Sequence, residues 1–214
     1  MDAEALEQDA AARDGGAKRR QIMEGARTVF LSAGFDGASM NDVARAASVS
    51  KGTLYAYFSS KDELFEAIIR AEYGQTAEKL CAFKREGNPR AMLTDFGVRL
   101  IERMTQPAHM ALARVVIAAA EKFPNIGRAF FESGPLYGAT RLSAELAALD
   151  RAGALRVPDA ERAAWHFMDL CQSLVYKRLL FRVVDSVRPE EIEEAVGAAV
   201  EVFFKAYGAR IAPS

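Results

Sequence analysis

Residues 39–61 read SMNDVARAASVSKGTLYAYFSSK, and the rest of the chain can be interpreted outward from this stretch. Ser39 is expected to N-cap a short helix, because Asp42 follows at the spacing of a capping box. The apolar residues of that helix fall on one face, as a three- to four-residue period requires: Met40, Val43, Ala44 and Ala47. The stretch therefore predicts a short amphipathic helix that ends, at 47–50, in a tight turn.

A second short helix is predicted to begin after this turn, with Ser50 as its N-cap. Only Leu54 and Phe58, four residues apart, are expected to face inward. The remaining positions are small, hydroxylic, basic or aromatic and are expected to be exposed: Lys51, Gly52, Thr53, Tyr55 and Tyr57. Two short helices joined by a tight turn, with polar groups on the second, predict a helix-turn-helix.

The exposed side of this second helix suits a DNA duplex. Gly52 has no side chain, so the free N–H groups at the helix N-terminus can come close to a phosphate. Lys51 can neutralise a phosphate or reach a guanine edge, and Thr53 can read a base or contact a thymine methyl. The hydroxyls of Tyr55 and Tyr57 can donate to phosphate oxygens, which fixes register without reading sequence.

The run DVARAASVSKGTLYAYFSSKDELF, residues 42–65, resembles the DNA-binding domain of TetR-type transcriptional regulators. It is similar to that family's helix-turn-helix and to the start of its fourth helix nearly position for position, with Ser48 where the family usually has glycine. The resemblance implies DNA contacts from Ser39, Lys51, Gly52, Thr53, Tyr55, Tyr57 and Lys61. Ser50 joins this predicted DNA-binding set as the N-cap of the reading helix.

Two other interpretations of this stretch stay open at the level of sequence. Tyr55 and Tyr57 also fit half-buried aromatic residues on an ordinary packed helix. Residues 48–51 spell S-x-x-K, the nucleophile motif of penicillin-recognising enzymes, but neither S-D-N nor K-T-G accompanies it. We therefore expect no enzyme here, with a helical Ser/Lys catalyst as the rival hypothesis.

The charge distribution supports nucleic-acid binding although the 214-residue chain has a net charge of only −1. Residues 18–61 contain seven Lys or Arg against three Asp or Glu, whereas residues 1–17 contain one Arg against five acidic residues. A locally basic module within a near-neutral chain is the electrostatic pattern of a DNA-binding domain.

Composition narrows the setting in which the protein works. No apolar run approaches the roughly 20 residues of a membrane span, and the acidic N-terminus lacks a hydrophobic signal core. Cys81 and Cys171 occur singly within predicted helices, so we expect buried thiols, with a disulfide or redox sensor as alternatives. We therefore expect a cytoplasmic protein without membrane association.

The pattern of apolar residues and breakers predicts an all-α chain. We expect a flexible acidic tail over 1–17, a three-helix DNA-binding domain with the helix-turn-helix over 18–60, and a helical ligand-binding and dimerisation domain over 61–214. Prolines and caps predict the helices of the last domain. Three are expected over 61–83, over 126–151 with a bend near Gly134-Pro135, and over 158–184. Three more are expected to begin at Pro89, at Pro107 with a break at Pro124, and at Pro189.

The final helix, near 189–207, is apolar on nearly every side after its four opening glutamates. A helix that is apolar all round must be covered all round. We therefore expect a homodimer in which the helices near 158–184 and 189–207 of each chain form a four-helix interface. Complete burial of the last helix within one chain is the monomeric alternative.

The second domain, in runs such as ARVVIAAAEKFPNIGRAFFESGP and RAGALRVPDAERAAWHF, resembles the AefR-like type of TetR regulatory domain. Domains of this kind enclose an apolar cavity with a few polar groups that orient a ligand. The large apolar and hydrogen-bonding residues predict a small hydrophobic effector that contacts Phe96, Met104, His109, Phe130, Tyr137, Trp165, His166, Met168 and Tyr176.

Neither histidine has a second His or Cys at ligand spacing, and no H-E-x-x-H, Walker or dinucleotide glycine pattern occurs, so we expect no metal and no cofactor. We expect a dimeric repressor that leaves a palindromic double-stranded DNA operator when the effector binds. The alternative is a helical small-molecule-binding or adaptor protein that does not bind DNA.

Overall fold

The computed structural model describes residues 3–83 and 88–209, which form helices and their connections. Within these ranges the only β pairing is an isolated antiparallel bridge between Leu155 and Gly208. The helices are α1 (Ala3–Gly37), α2 (Met40–Ala46), α3 (Lys51–Tyr57), α4 (Lys61–Leu80), α5 (Pro89–Met104), α6 (Pro107–Ala120), α7 (Pro124–Phe131), a π-turn (Glu132–Leu136), α8 (Tyr137–Arg151), α9 (Ala160–Gln172), α10 (Val175–Leu180) and α11 (Pro189–Tyr207). The predicted all-α fold is confirmed.

The chain packs as two compact units. Of the described residues, the first unit contains 3–72 and 115–130, and the second contains 73–83, 88–114 and 131–209. The packing boundary within α4 therefore lies at 72/73, whereas the functional boundary predicted from the sequence lies at 60/61. The functional limits 1–17, 18–60 and 61–214 stay a prediction.

The first unit is built on an aromatic core. Phe30 of α1 and Phe65 of α4 lie with ring centroids 4.7 Å apart, and Phe35 packs edge-on against Phe123, also at 4.7 Å. Phe35 therefore packs back into the core. Gly25 of α1 lets α2 come close, since a Cβ there would lie 2.6 Å from the backbone nitrogen of Ala47.

The first helix is longer than predicted. It begins at Ala3, not at Lys18, and its regular geometry ends at Gly34, whose φ of 72° is left-handed. The residues expected to form a flexible tail are therefore helical from Ala3 onward. Alanine, which accounts for six of residues 3–17, is the strongest helix former.

The second unit has one core, to which α5, α8, α9 and α11 contribute. Asn88 N-caps α5 by accepting from the Arg90 amide at 2.8 Å, with Pro89 in the first turn, as predicted. Gly97 sits where α5 approaches α11, because a Cβ there would lie 2.8 Å from the Cγ1 of Val196. The predicted bend near Gly134-Pro135 is present as the π-turn.

Two predicted helices in this unit need correction. The helix expected over 158–184 is broken into α9 and α10, because Leu174 adopts a left-handed φ of 64°. α4 ends at Leu80, three residues earlier than expected. None of the helices in the described ranges combines the length and apolarity needed to cross a membrane.

The last helix is amphipathic, not apolar all round as expected. Its buried stripe consists of Ile192, Val196, Ala199, Val200 and Phe203. Its exposed residues include Glu194, Gly197, Ala198, Glu201 and Lys205. The small residues on this outer face leave room for another helix to approach closely.

Candidate nucleic-acid interface

α2 and the turn after it are set by local hydrogen bonds. The Ser39 hydroxyl oxygen accepts from the Asp42 amide at 3.2 Å, and the Asp42 carboxylate accepts from both the Ser39 hydroxyl and Arg45. These hydrogen bonds lower the pKa of Asp42, and the one from the Ser39 hydroxyl contributes most. Ser48 turns the chain with a left-handed φ of 53°. The predicted N-cap at Ser39 is confirmed, with the Asp42 carboxylate bonded to the Ser39 hydroxyl, and serine at position 48 takes the conformation for which glycine is usual.

α3 is capped and anchored as predicted. The Ser50 hydroxyl oxygen accepts from the Thr53 amide at 3.0 Å, and the two hydroxyl oxygens lie 2.8 Å apart. Leu54 and Phe58 are 0% and 1% exposed, so this short helix is held from one side. Its first turn is thereby fixed by the cap and its inner face by two apolar contacts.

The outer face of α3 presents the groups expected to contact DNA. Lys51 and Gly52 are exposed, and Tyr55 keeps 52% of its surface accessible. Thr53 and Tyr57 are half-buried. A Cβ at Gly52 would touch only the Ser50 hydroxyl, at 3.8 Å, so the space before this helix end is open. The arrangement can accept a phosphate at the free amides, with a lysine and a tyrosine hydroxyl beside it.

Lys61 has a structural role that the sequence did not suggest. Its ammonium donates to the carbonyl oxygens of Phe35, at 2.7 Å, and Ala38, at 3.0 Å. It also lies 4.4 Å from the centroid of the Phe35 ring. Lys61 therefore ties the start of α4 to the end of α1, and its contact with phosphate stays a prediction.

Two α1 residues that sequence reasoning missed also position the turn and α3. The Gln21 side-chain amide donates to the Ala47 carbonyl at 2.7 Å, across 26 residues of sequence. The Arg19 guanidinium lies 4.9 Å above the Phe58 ring. No local signal marks either contact, because both depend on how α1 crosses the other two helices.

The residues expected to contact an effector have different surroundings. Phe96 and Met168 belong to the core of the second unit, against which Met104, Tyr137 and Trp165 are half-buried. His109 is buried beside Tyr73, and Tyr176 is half-buried, which raises the pKa of its hydroxyl.

Two members of the predicted effector set lie apart from this core. His166 is exposed, with Nδ1 2.7 Å from the Tyr207 hydroxyl. Phe130 belongs to the first unit. One aromatic neighbour was missed, since the half-exposed Phe131 ring stacks on Trp165 with centroids 5.8 Å apart.

The described part of the chain holds no cluster of three or more His, Cys, Asp or Glu side chains placed to bind a metal. Cys81 and Cys171 are free and buried. Burial raises the pKa of Cys81 to about 11 and that of Cys171 to about 12. Both thiols are therefore protonated at neutral pH, a poor state for redox chemistry or metal binding.

Known proteins share both halves of this chain. Residues 22–68 match the family of bacterial regulatory proteins described as the tetR family. Residues 91–209 match the C-terminal domain described for AefR-like transcriptional repressors. The HTH-type transcriptional regulator UidR of Escherichia coli K12 is 36% identical over 107 residues, which cover 50% of this chain and 53% of UidR. The chain thus spans about half the length of this curated relative.

Solved structures resemble the chain over most of its length. The flavonoid-responsive regulator FrrA is 31% identical, with a TM-score of 0.82, over 91% of this chain and 99% of FrrA. A TetR-family regulator from Mesorhizobium loti is 26% identical, with a TM-score of 0.84, over 91% of this chain and 98% of its own. Taken with the capped helix-turn-helix, these similarities show that the chain belongs to the TetR family of bacterial transcriptional regulators, with an AefR-like C-terminal domain.

Proposed function

We propose that this protein represses transcription by binding a palindromic DNA operator as a homodimer. The observation that carries the proposal is the outer face of α3. Its helix end is capped by Ser50 and open at Gly52, and Lys51 and Tyr55 stand exposed beside it. A helix held from one side by two apolar anchors can enter a major groove without rearranging its support.

The dimer is supported by apolar surface that one chain leaves uncovered. Leu174, Phe181 and Val183 are 77%, 74% and 71% exposed, and Val202 on α11 is 49% exposed. A Cβ added at Gly197 on the same helix would meet nothing within 4 Å, so a neighbouring helix could approach there. We propose that a second copy covers the helices near 158–184 and 189–207. Two-fold symmetry then places the two α3 helices about 34–36 Å apart, or at a multiple of that distance.

The proposed effector is a small, hydrophobic and aromatic molecule. The second unit offers two half-buried aromatic rings against an apolar core, Tyr137 and Trp165, and the exposed Phe131 ring stacks on Trp165. FrrA, whose name describes it as flavonoid-responsive, shares the fold over nearly the whole chain. An effector that binds more tightly to the conformation unable to bind DNA would shift the protein towards that conformation and so release the operator.

The proposal assigns no catalytic role to the S-x-x-K run. Ser48 serves the turn with its left-handed backbone, and Lys51 is exposed at the start of α3. A bacterial transcriptional regulator binds chromosomal DNA, which lies in the cytoplasm, so we propose that this protein is cytoplasmic. No cofactor is part of the proposal.

The test begins with selection of fragments from the source genome, followed by binding titrations on a labelled fragment at several salt concentrations. We expect Lys51→Met and Tyr55→Ala to weaken binding, and Lys51→Met, which removes a positive charge, also to reduce the salt slope by about one. Lys205→Met, which removes an exposed lysine of α11, serves as the matched control and should leave both quantities unchanged. Equal affinities for all four proteins would show that α3 does not contact the operator. No salt-dependent retention of any fragment would show a helical binding protein that does not act on DNA.

The effector is tested by adding a panel of flavonoids and other planar aromatic molecules to the operator complex. Trp165 is the single tryptophan of the chain, so its fluorescence reports binding near Phe131 directly. We expect one member of the panel to release the DNA and to change this fluorescence over the same concentration range. Release without any change at Trp165 would place the effector elsewhere in the second unit.

A further inference from the structure

The π-turn between α7 and α8 is a local feature with a clear cause. Proline at position 135 has no N–H and cannot continue an α-helical ladder. Glu132–Leu136 accordingly widen into a π-turn, and the helix resumes at Tyr137. Short π segments of this kind occur frequently at functional positions.

Gly134, within this turn, is pressed against the ring of Tyr73 on α4. A Cβ at Gly134 would lie 2.9 Å from Cδ1 and 3.4 Å from Cε1 of that ring. The first distance is shorter than real Cβ contacts, so any side chain at 134 must displace the tyrosine. Cδ1 belongs to the ring, so only a rotation of the whole buried ring about χ1 or χ2 could move it away from a side chain at 134.

The Tyr73 ring has no easy direction in which to yield. It is 6% exposed, and the His109 ring of α6 packs edge-on against it with centroids 5.1 Å apart. The Tyr73 hydroxyl lies 3.5 Å from Nε2 of His109. Burial lowers the pKa of His109 to about 4, so this neighbour is a neutral imidazole at physiological pH. A side chain at 134 would therefore meet a buried, packed ring, and α4, which carries that ring, is an element that can shift in response.

These three residues lie close in sequence to the points where the chain passes from one compact unit to the other. Tyr73 is the first residue of α4 in the second unit. His109 lies shortly before the point in α6, between residues 114 and 115, where the chain enters the first unit. The π-turn begins at Glu132, just after the chain returns to the second unit between residues 130 and 131. α4 is one continuous helix from Lys61 to Leu80, so a rotation at Tyr73 also rotates its first turns.

We propose that Gly134 and Tyr73 form a positioning contact for operator binding, in which the close approach of the π-turn sets the rotation of α4 about its axis. The proposal rests on the proposed DNA-binding function and names residues that act through α4 without touching DNA. Glycine is required at 134 because only a residue without Cβ leaves room for the ring in this position.

The experiment compares three glycine variants whose surroundings differ in a known way. Gly134→Ala introduces the clash with Tyr73. Gly97→Ala introduces an equally close contact in the same unit, 2.8 Å from Val196, but away from α4. Gly74→Ala changes the residue next to Tyr73 on the same helix, where a Cβ meets nothing within 4 Å. All are measured at a temperature at which circular dichroism shows them folded.

We expect Gly134→Ala to weaken operator binding about tenfold, and Gly97→Ala and Gly74→Ala to stay within about twofold of the unmodified protein. Adding Tyr73→Leu to Gly134→Ala makes room for the methyl group and should restore most of the affinity. A loss no greater in Gly134→Ala than in Gly97→Ala would overturn the proposal, since destabilisation alone would then account for it.

A second measurement needs no DNA and separates this inference from the proposed function. Hydrogen exchange along residues 61–72 of α4 should change in Gly134→Ala and stay unchanged in Gly97→Ala. If the unmodified protein retains no DNA fragment, the proposed function fails while this exchange pattern still decides whether the contact positions α4. Identical exchange in the two variants would refute the contact in either case.

Discussion

Replacing Lys61 by methionine should destabilise the protein even though lysine at this position was expected to contact DNA. The ammonium donates to two carbonyl oxygens near the end of α1, those of Phe35 and Ala38, and lies over the Phe35 ring. Methionine keeps a flexible apolar stem of similar length but has no donor. Both carbonyl groups would then have to be hydrated at a half-buried position.

The magnitude follows from these contacts. A hydrogen bond from a charged donor contributes about 1.5–3 kcal/mol, and a partly exposed cation–ring contact adds about 0.5–1 kcal/mol. Because water can reach part of the position, we expect a total loss of about 2–3 kcal/mol in the free energy of unfolding. At about 2–4 °C per kcal/mol for a chain of this size, the melting temperature should fall by about 5–10 °C.

The assay is thermal unfolding followed by circular dichroism, with Lys51→Met as the matched control. Lys51 is an exposed lysine of α3, so its replacement should move the melting temperature by no more than about 2 °C. Lys61→Arg should recover much of the loss, since a guanidinium can donate to two carbonyl groups. A Lys61→Met melting temperature equal to that of the control would refute the structural role assigned to this ammonium.

Three further predictions concern the cap of α3, a buried imidazole and the two thiols. Ser50→Ala should cost about 1 kcal/mol of stability through loss of the cap to the Thr53 amide, and Ser50→Asn should restore it in urea titrations. Burial lowers the pKa of His109 to about 4, so only the unfolded chain gains this proton as pH falls below about 6.5; stability should be lost towards acid by up to about 1.4 kcal/mol per pH unit. Urea titrations at pH 7 and 5 should show that His109→Gln removes this part of the pH dependence, and an unchanged slope would contradict it. Cys81 and Cys171, buried and with raised pKa values, should react with a thiol reagent at pH 8 only after denaturation; rapid labelling of the native protein would contradict their burial.

The helix-turn-helix could be predicted from the sequence because its determinants are local. The caps at Ser39 and Ser50 bond to amides three residues away, and Leu54 and Phe58 are one helical turn apart. Interactions over this range depend on residue type and spacing alone. The same holds for the start of α5 at Asn88-Pro89 and for the bend at Gly134-Pro135, where the breakers are visible in the sequence.

The error at 158–184 occurred where tertiary packing overrides local preference. Residues 158–184 have the periodicity of one helix, and Leu174 carries no intrinsic preference for the left-handed backbone it adopts. Just beyond the break, the Arg114 guanidinium donates to the carbonyl oxygens of Leu179 and Leu180. The two carbonyl groups lie 65 and 66 residues further along the sequence than Arg114. Hydrogen bonds over such a separation cannot be predicted from the local sequence pattern.

By itself the sequence determined that the chain is helical and where its helix-turn-helix lies, because capping and helical periodicity act over a few residues. Its resemblance to TetR-type regulators predicted the family. Only the tertiary structure decided that Lys61 bonds the end of α1, that Gln21 holds the turn, and that Gly134 presses on Tyr73. These contacts join residues more than 20 positions apart, and the direction of each side chain is set by the packing of whole helices.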